Sequence, residues 1–271
     1  MPELPEVETT RKGIGPHIQN KQISQVNIRH FGLRWPIPSN LAEALEGRHV
    51  TQTLRRGKYL LLDCGNGWLI IHLGMSGSLR ILTQTEPPRK HDHVDLVFAD
   101  GSILRYHDPR RFGAILWEPG NVWNHPLIRE MGPEPLVPLL PADYLYDATR
   151  KRSQAIKQVI MDSKLLVGVG NIYASEALFR ARIHPATAAN RISKQRCQRL
   201  QQAIRQTLQS AIDTGGSTLR DYVNSRGDSG YFQLQHLVYD RTEQPCRVCG
   251  TPIRQIRQGQ RSTFFCSHCQ N

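Results

Sequence analysis

The sequence has no apolar run approaching the roughly 18 residues of a membrane-spanning helix, no hydrophobic stretch of a signal peptide and no lipidation motif. Insertion into a bilayer or anchorage to one is therefore not expected. It has no long-period repeat and no low-complexity tract, which excludes a repeat array. Acidic residues are scarce, with 23 Asp plus Glu against 35 Lys plus Arg and a formal charge of +12. Such an excess favours a polyanionic partner, although a merely basic soluble protein has the same balance. Cysteines number six, and four of them lie in the last 26 residues as Cys246-x2-Cys249 and Cys266-x2-Cys269. That spacing is the signature of a four-thiolate metal site, with one structural Zn2+ as the expected ion. Two disulfides are the alternative, disfavoured because thiols without a secretory signal stay reduced. Cys64 and Cys197 lie in apolar patterns and read as small buried hydrophobes.

At 271 residues the chain can bury a real core and suggests one large or two modest domains. It opens "MPELPEVETT". A small residue at position 2 permits removal of Met1, which would leave Pro2 as a secondary amine and a nucleophile. Pro5 suits a first helical turn, and Leu4, Val7, Ile14 and Ile18 recur at helical spacing over about 5–18. Glu3, Glu6 and Glu8 then lie near the positive end of the helix dipole. The stretch is either an ordinary helix start or a nucleophile flanked by carboxylates.

Residues 20–117 are rich in hairpin signals. "KYLLLDCGNGWLIIHL" surrounds an Asn66-Gly67 turn, and "HVDLVFADGSILRYH" surrounds Asp100-Gly101. Repeated hairpins need a second layer, so the expected class is α+β and multidomain, beginning with an antiparallel β-sandwich flanked by the N-terminal helix. Prolines accumulate from about 119 to 141. The divisions expected are 1–130 for the β-sandwich domain, 131–150 for a linker, 151–240 for a helical domain and 241–271 for a zinc finger. Within the helical part, "SQAIKQVIMDSK" places Ile156, Val159 and Ile160 on one face, and Asn171 reads as the cap of the next helix. A longer helix runs from Ser193 to Thr214 and stops at Gly215-Gly216. The tail reads as a basic β-hairpin with Gly259 near its tip, carrying Arg254, Arg257 and Arg261.

Several loops suggest contacts. In "GVGNIYASE" the glycines allow close approach of an anion to a helix start. Met75 in "HLGMSG", and Arg110, Arg111 and Phe112 in "HDPRRFG", can form an apolar wedge with guanidinium groups beside it, as in proteins that kink duplexes. A core methionine and a Phe tucked under its own turn are the local alternatives. Lys58 in "RRGKYLLL" reads as the first residue of a strand. "STLRDYVNSRGDSGYF", at about 217–232, carries Gly, Ser and Asp between two ordered regions and reads as a mobile loop.

Taken in order, "MPELPEVE", "RRGKYLL", "HLGMSG", "KHDHVD", "HDPRRFG", "GVGNIYASE" and "CRVC…CSHC" closely resemble bacterial formamidopyrimidine-DNA glycosylases across essentially the whole chain. The resemblance is closer than to the endonuclease VIII branch, which typically has Gly at position 4 and lacks the Met, Arg and Phe set. It implies a β-sandwich, a helix-two-turn-helix domain and a zinc-ribbon finger, with damaged double-stranded DNA in a cleft between. The implied activity is excision of 8-oxoguanine and formamidopyrimidines followed by strand cleavage through β,δ-elimination. By motif, Pro2 would be the nucleophile, Glu3 the general acid/base and Glu6 its neighbour. Lys58 would contact phosphate and donate a proton in β-elimination, and Arg261 would serve δ-elimination. Met75, Arg110 and Phe112 would fill the gap left by the everted base, while His91, Arg152 and Asn171 would touch phosphates. Position 152 departs from the usual lysine, which alters the contact geometry. A monomer without a small-molecule cofactor, in a bacterial cytoplasm and held to the nucleoid through DNA, completes the expectation.

Overall fold

The computed structural model describes residues 2–137, 140–216 and 236–271. The chain divides into two compact units, one of Met1–Glu130 with Thr214–Tyr231 and the other of Met131–Asp213 with Phe232–Asn271. The loop expected at 217–232 lies outside the described residues.

The first unit begins with helix α1 (Leu4–Ile18) and continues through β1 (Ile23–Ile28), the short α2 (Leu41–Leu45) and β2 to β8. These last strands are β2 (Gln52–Arg56), β3 (Tyr59–Asp63), β4 (Trp68–His72), β5 (Ser78–Leu82), β6 (Asp92–Phe98), β7 (Ile103–His107) and β8 (Ala114–Glu118). They form two antiparallel four-stranded sheets, ordered β1-β6-β7-β5 and β2-β3-β4-β8. Val26, Leu96, Leu104 and Leu79 from one sheet meet Leu60, Leu62, Leu69 and Ile71 from the other in a shared core. Val7, Ile14 and Ile18 of α1 complete it, and together with Leu4 they are 0–1 % exposed. The apolar spacing of α1 thus buries one face against the sandwich.

Both expected hairpins form, with turns that differ in detail. Asp63 pairs with Trp68 and the Cys64 N–H donates to the Gly67 carbonyl at 2.9 Å, so Gly65 and Asn66 form the tip between β3 and β4, and the left-handed conformation falls on Gly65 (φ 82°) rather than on Gly67. The Asp63 carboxylate accepts the Gly65 N–H at 2.8 Å, an Asx-type contact that supports this tip. Lys58 does not begin a strand. Arg56 pairs with Tyr59, which leaves Gly57 (φ 56°) and Lys58 as the two-residue turn between β2 and β3.

The β1-β6-β7-β5 sheet carries a buried charge network centred on its inner strands β6 and β7. Arg105 forms a bidentate pair with Asp95 through two 2.8 Å bonds and donates to the carbonyl of Glu86 at 3.1 Å. Arg29 binds the same Asp95 carboxylate, and Asp92 takes His107 at 2.8 Å and Arg80 at 3.3 Å. A bulge between Asp92 and Val94 leaves His93 out of the β6–β7 pairing.

Helix α3 (Pro126–Arg129) closes the first unit, and the second contains α4 (Tyr144–Thr149), α5 (Ile156–Ile160), α6 (Asn171–Arg180) and α7 (Lys194–Asp213). Part of the stretch expected as a linker is therefore helical, since α4 falls inside 131–150. Along α7 the buried residues Cys197, Leu200, Ile204, Leu208 and Ile212 follow the expected register. The chain ends in an antiparallel ribbon of β9 (Arg254–Gln258) and β10 (Arg261–Phe265), turned by Gly259 and Gln260, both at positive φ. Its own small core joins Phe179 with Val238, Ile253 and Phe264. No described helix is long and apolar enough to cross a membrane.

The network predicts a stability change with a definite pH signature. Burial alone raises the Asp95 carboxyl, but its bonds to Arg105 and Arg29 outweigh burial and hold it below the usual carboxylate range. A depressed carboxyl contributes stability that is present above its unfolded value and is lost as pH falls through the folded one. Asp95→Asn should cost about 3 kcal/mol at neutral pH, because it removes the bidentate partner of the buried Arg105 guanidinium and leaves it the longer 3.5 Å pair with Asp92. Thermal unfolding should also show the loss on acidification below about pH 4 to be shallower than in the unmodified chain.

Candidate active site and metal centre

The N-terminus of α1 is held by a reciprocal capping box. Glu3 is the cap residue with extended backbone, and its side chain accepts the N–H of Glu6, while the Glu6 carboxylate accepts the N–H of Glu3 at 2.8 Å. Pro5 stands in the first turn, where its missing N–H leaves no bond unmade. Pro2 is buried, and Glu3 and Glu6 are 2 % and 0 % exposed. Gly216 (φ 83°) passes so close to this end that a Cβ there would lie 3.1 Å from Glu6 Oε1. Pro2 and Glu3 thus stand buried at the start of α1, with Glu6 bonded back to Glu3.

Lys58 is tied to the same helix through two intermediates. Glu8, one turn inside α1, binds Arg11 at 2.7 Å and Arg55 at 3.1 Å, and Arg55 Nη1 donates to the Gly57 carbonyl at 2.9 Å. The helix bearing Pro2 therefore fixes the turn bearing Lys58. Burial works to raise the Glu8 carboxyl, but its bonds and charges from Arg11 and Arg55 hold it below its ordinary value. His72 is close enough to feel the charges of Lys58 and Arg34. Burial first, and then those cations, push its imidazole down to about 4, so it is neutral at physiological pH.

The two loops suspected of forming a wedge also meet. A Cβ on Gly74 would lie 2.4 Å from the Phe112 carbonyl carbon, so "HLGMSG" and "HDPRRFG" run backbone against backbone. Phe112 is 46 % exposed with the Arg110 guanidinium 4.9 Å from its ring, and Met75 is half-buried. Neither a tucked Phe nor a core Met describes this arrangement. His91 adopts a left-handed backbone (φ 74°) beside the bulge, and its ring stands edge-on to His93 and His107 at 6.2 and 6.1 Å.

In the second unit, Asn171 is the first residue of α6 rather than its cap, which is Gly170. Its amide is engaged instead: Lys157 Nζ donates to Oδ1 at 2.6 Å, and Nδ2 donates to the Ser262 carbonyl at 3.0 Å. Lys157 is 2 % exposed and donates also to Thr263 Oγ1 at 2.7 Å. This cation is therefore a strut between α5, α6 and the ribbon. The pocket beside it, of about 260 Å³, is lined by Asn171, Asp162, Gln258 and the exposed Arg261. Arg152 is paired with Asp162 at 2.8 Å, with both side chains 34 % exposed.

The four terminal cysteines place their sulfurs within 4.8 Å of one another. Cys249 and Cys266 are 3.5 Å apart and Cys246 and Cys269 are 3.9 Å apart, close to the roughly 3.8 Å edge of a tetrahedron with 2.3 Å metal–sulfur bonds. The N–H of Val248 points at Cys246 Sγ and that of Cys269 at Cys266 Sγ, which stabilises thiolates. Soft sulfur donors in this geometry fit zinc or an iron–sulfur centre. The ribbon has a second anchor that sequence reading missed. Glu176, fully buried in α6, accepts the N–H groups of Leu237, Val238 and Tyr239, each at 2.9 Å. Its only sequence signal is an acid inside an otherwise apolar helix, "NIYASEALF".

Family models match three consecutive stretches: the formamidopyrimidine-DNA glycosylase N-terminal domain over residues 1–115, its H2TH domain over 131–223, and a zinc finger found in FPG and IleRS over 243–271. The β-sandwich, helical domain and zinc-finger architecture is the one these models describe. A formamidopyrimidine-DNA glycosylase of Janthinobacterium sp. (strain Marseille) is 57 % identical, covering 100 % of both chains. A point mutant of the Lactococcus lactis FPG, solved in complex with a Fapy-dG containing DNA, is 34 % identical with a TM-score of 0.92 and 100 % of both chains covered. Lactococcus lactis Fpg solved with an abasic site containing DNA is 33 % identical, with a TM-score of 0.92 and 99 % of both chains covered.

Metal should be required for the ribbon and dispensable for the sandwich. A chelator, or Cys246→Ser, should disorder the ribbon while the first unit keeps its own unfolding transition. Metal analysis and hydrogen exchange read this, and a ribbon equally protected without metal would contradict it.

Proposed function

The chain belongs to the formamidopyrimidine-DNA glycosylase family, and on that premise we propose that it excises oxidised purines from duplex DNA and cleaves the strand at the resulting abasic site. The observation that carries the reading is the capping box that holds Pro2 and Glu3 buried at the start of α1. A chain beginning at Pro2 presents a secondary amine there. Met1, were it retained, would convert that nitrogen into an amide whose lone pair is delocalised.

In this reading the Pro2 nitrogen lone pair forms a bond to C1′ of the damaged nucleoside as the bond from C1′ to the base breaks. Glu3 supplies the proton that the departing base or the opening sugar requires. A secondary amine on C1′ gives an iminium cation, which draws electrons from the C2′–H bond. Loss of that proton expels the 3′ phosphate, and a second elimination expels the 5′ phosphate. Glu6 orients Glu3 by holding its N–H, and Lys58 is aimed by the Glu8–Arg55 relay as phosphate contact and proton donor. Arg261, exposed on the ribbon, serves the second elimination. Met75, Arg110 and Phe112 fill the stack where the lesion leaves it. Such a wedge suits 8-oxoguanine and formamidopyrimidines in duplexes, as the related complex with a Fapy-dG containing DNA supports.

His91, Arg152 and Asn171 are proposed phosphate contacts, and the last two act from within their pairs with Asp162 and Lys157. The cysteine site is proposed to hold one Zn2+, which would fix the ribbon and take no part in bond breaking. The formal charge of +12 supports DNA as the partner and implies affinity that falls steeply with salt.

Borohydride trapping on DNA containing 8-oxoguanine, followed by peptide mapping, tests the proposal. The adduct is expected on Pro2 of a protein whose intact mass lacks Met1. Glu3→Gln should slow base excision at least about a hundredfold while sparing much of the cleavage at a preformed abasic site. An adduct elsewhere, or full activity with Met1 attached, would refute the mechanism, and absence of any adduct would leave only DNA binding.

A further inference from the structure

One carboxylate that this chemistry does not use gathers the loops around the wedge. Asp108 is 0 % exposed. Its Oδ1 accepts the Ser76 hydroxyl at 2.7 Å, and its Oδ2 accepts the Gly113 N–H at 2.8 Å and the Tyr106 hydroxyl at 3.1 Å. Its backbone carbonyl accepts His93 Nε2 at 2.8 Å. Ser76 Oγ in turn accepts the Arg110 N–H at 3.2 Å. Ser76 directly follows Met75, and Gly113 directly follows Phe112. The fit has no slack, since a Cβ on Gly113 would lie 1.8 Å from the Tyr106 hydroxyl oxygen.

We propose that Asp108 is a positioning residue that locks the Met75 and Phe112 loops into one wedge, so that base eversion depends on it and later bond breaking does not. This rests on the reading of Met75, Arg110 and Phe112 given above. The side-chain chemistry explains why an acid stands here. An ionised carboxylate only accepts, so three donors from separate segments can converge on it. An amide at this position offers a single acceptor oxygen; with that oxygen on the Gly113 N–H and the Tyr106 hydroxyl, its NH2 faces Ser76 Oγ, which must then accept from it and gives up its own charge-assisted donation, so the Met75 loop loses that anchor and shifts. The loop so displaced would carry its wedge residue with it, and misplacement of order 1 Å is costly to catalysis.

Asp108→Asn, Ser76→Ala and Phe112→Ala should be compared in single-turnover assays on three duplexes. The first holds 8-oxoguanine paired with cytosine, the second holds the lesion in a weakly stacked bulge, and the third holds a preformed abasic site. 2-Aminopurine beside the lesion reports opening of the stack. Asp108→Asn should lose about tenfold or more on the paired lesion and lose the fluorescence rise on binding. It should recover most of its rate on the bulged lesion and stay within about twofold on the abasic site, where little eversion is needed. Ser76→Ala should show the same order with smaller losses, and it decides the matter if Asp108→Asn does not fold. Wild-type behaviour of both variants, or equal losses on all three duplexes, while Phe112→Ala shows the eversion defect, would overturn the role of Asp108. Wild-type behaviour of Phe112→Ala on the paired lesion would instead overturn the wedge reading itself.

Discussion

A chain terminus is the hardest part of a protein to hold in place, because it has covalent continuity on one side only. Here the constraint is met within the first six residues. The Glu6 carboxylate holds the Glu3 N–H, Glu3 closes the box from the other side, and Pro5 removes a donor that would otherwise need a partner. The helix behind them is pinned to the sandwich by Val7, Ile14 and Ile18, so the precision of the terminus derives from the core. The same helix reaches sideways through Glu8 and Arg55 to the turn of Lys58. Two groups 56 positions apart in sequence are thereby referred to a single rigid element.

Six of the 23 acids of this basic chain are used as interior acceptors. Glu3, Glu6, Asp92, Asp95, Asp108 and Glu176 are all buried among the described residues, whereas Arg105 and Lys157 are the buried cations. Withdrawing more carboxylates than cations from the surface leaves the solvent-facing charge more positive than the formal +12 suggests. Asp92, Asp108 and Glu176 among them each accept backbone N–H groups of a loop. Asp92 and Asp95 brace the inner strands of the first sheet next to His91, and Glu176 gathers three backbone N–H groups where the chain enters the ribbon. Positive surface and rigid loops follow from one placement of charge.

Features set by local pattern were legible in the sequence. The apolar spacing of α1 and α7, the strand runs and the paired CxxC motifs each specify their element through near neighbours, and the structure shows them with boundaries shifted by a residue or two. Turn geometry was less legible. Asn66-Gly67 suggested the turn, but the tip falls one residue earlier at Gly65-Asn66, with Gly65 left-handed and its N–H bonded to the Asp63 carboxylate. Asn171 carries the side chain of a helix cap, yet a buried lysine 14 residues earlier and a ribbon carbonyl 91 residues later outcompete the cap. The roles of Lys157, Glu176 and Asp108 were not legible, since a lone charged residue in an apolar run does not reveal which distant donors or acceptors will meet it.

The choice of partners for Asp108 bears on how a charged loop can be both rigid and available. Arg110 and Arg111 lie within three residues of this carboxylate, and an ion pair with either would be the simplest way to satisfy it. Such a pair would neutralise a cation at the place where a polyanion must be met. The structure satisfies Asp108 with two hydroxyls and a backbone N–H, all neutral, and both arginines remain exposed. Arg110 joins the network through its backbone N–H, by way of Ser76. Its guanidinium lies instead over the Phe112 ring, a contact that leaves the charge intact and orients it beside the apolar wedge. Rigidity here comes from neutral donors on a buried anion, and the positive charge is left for the surface that needs it.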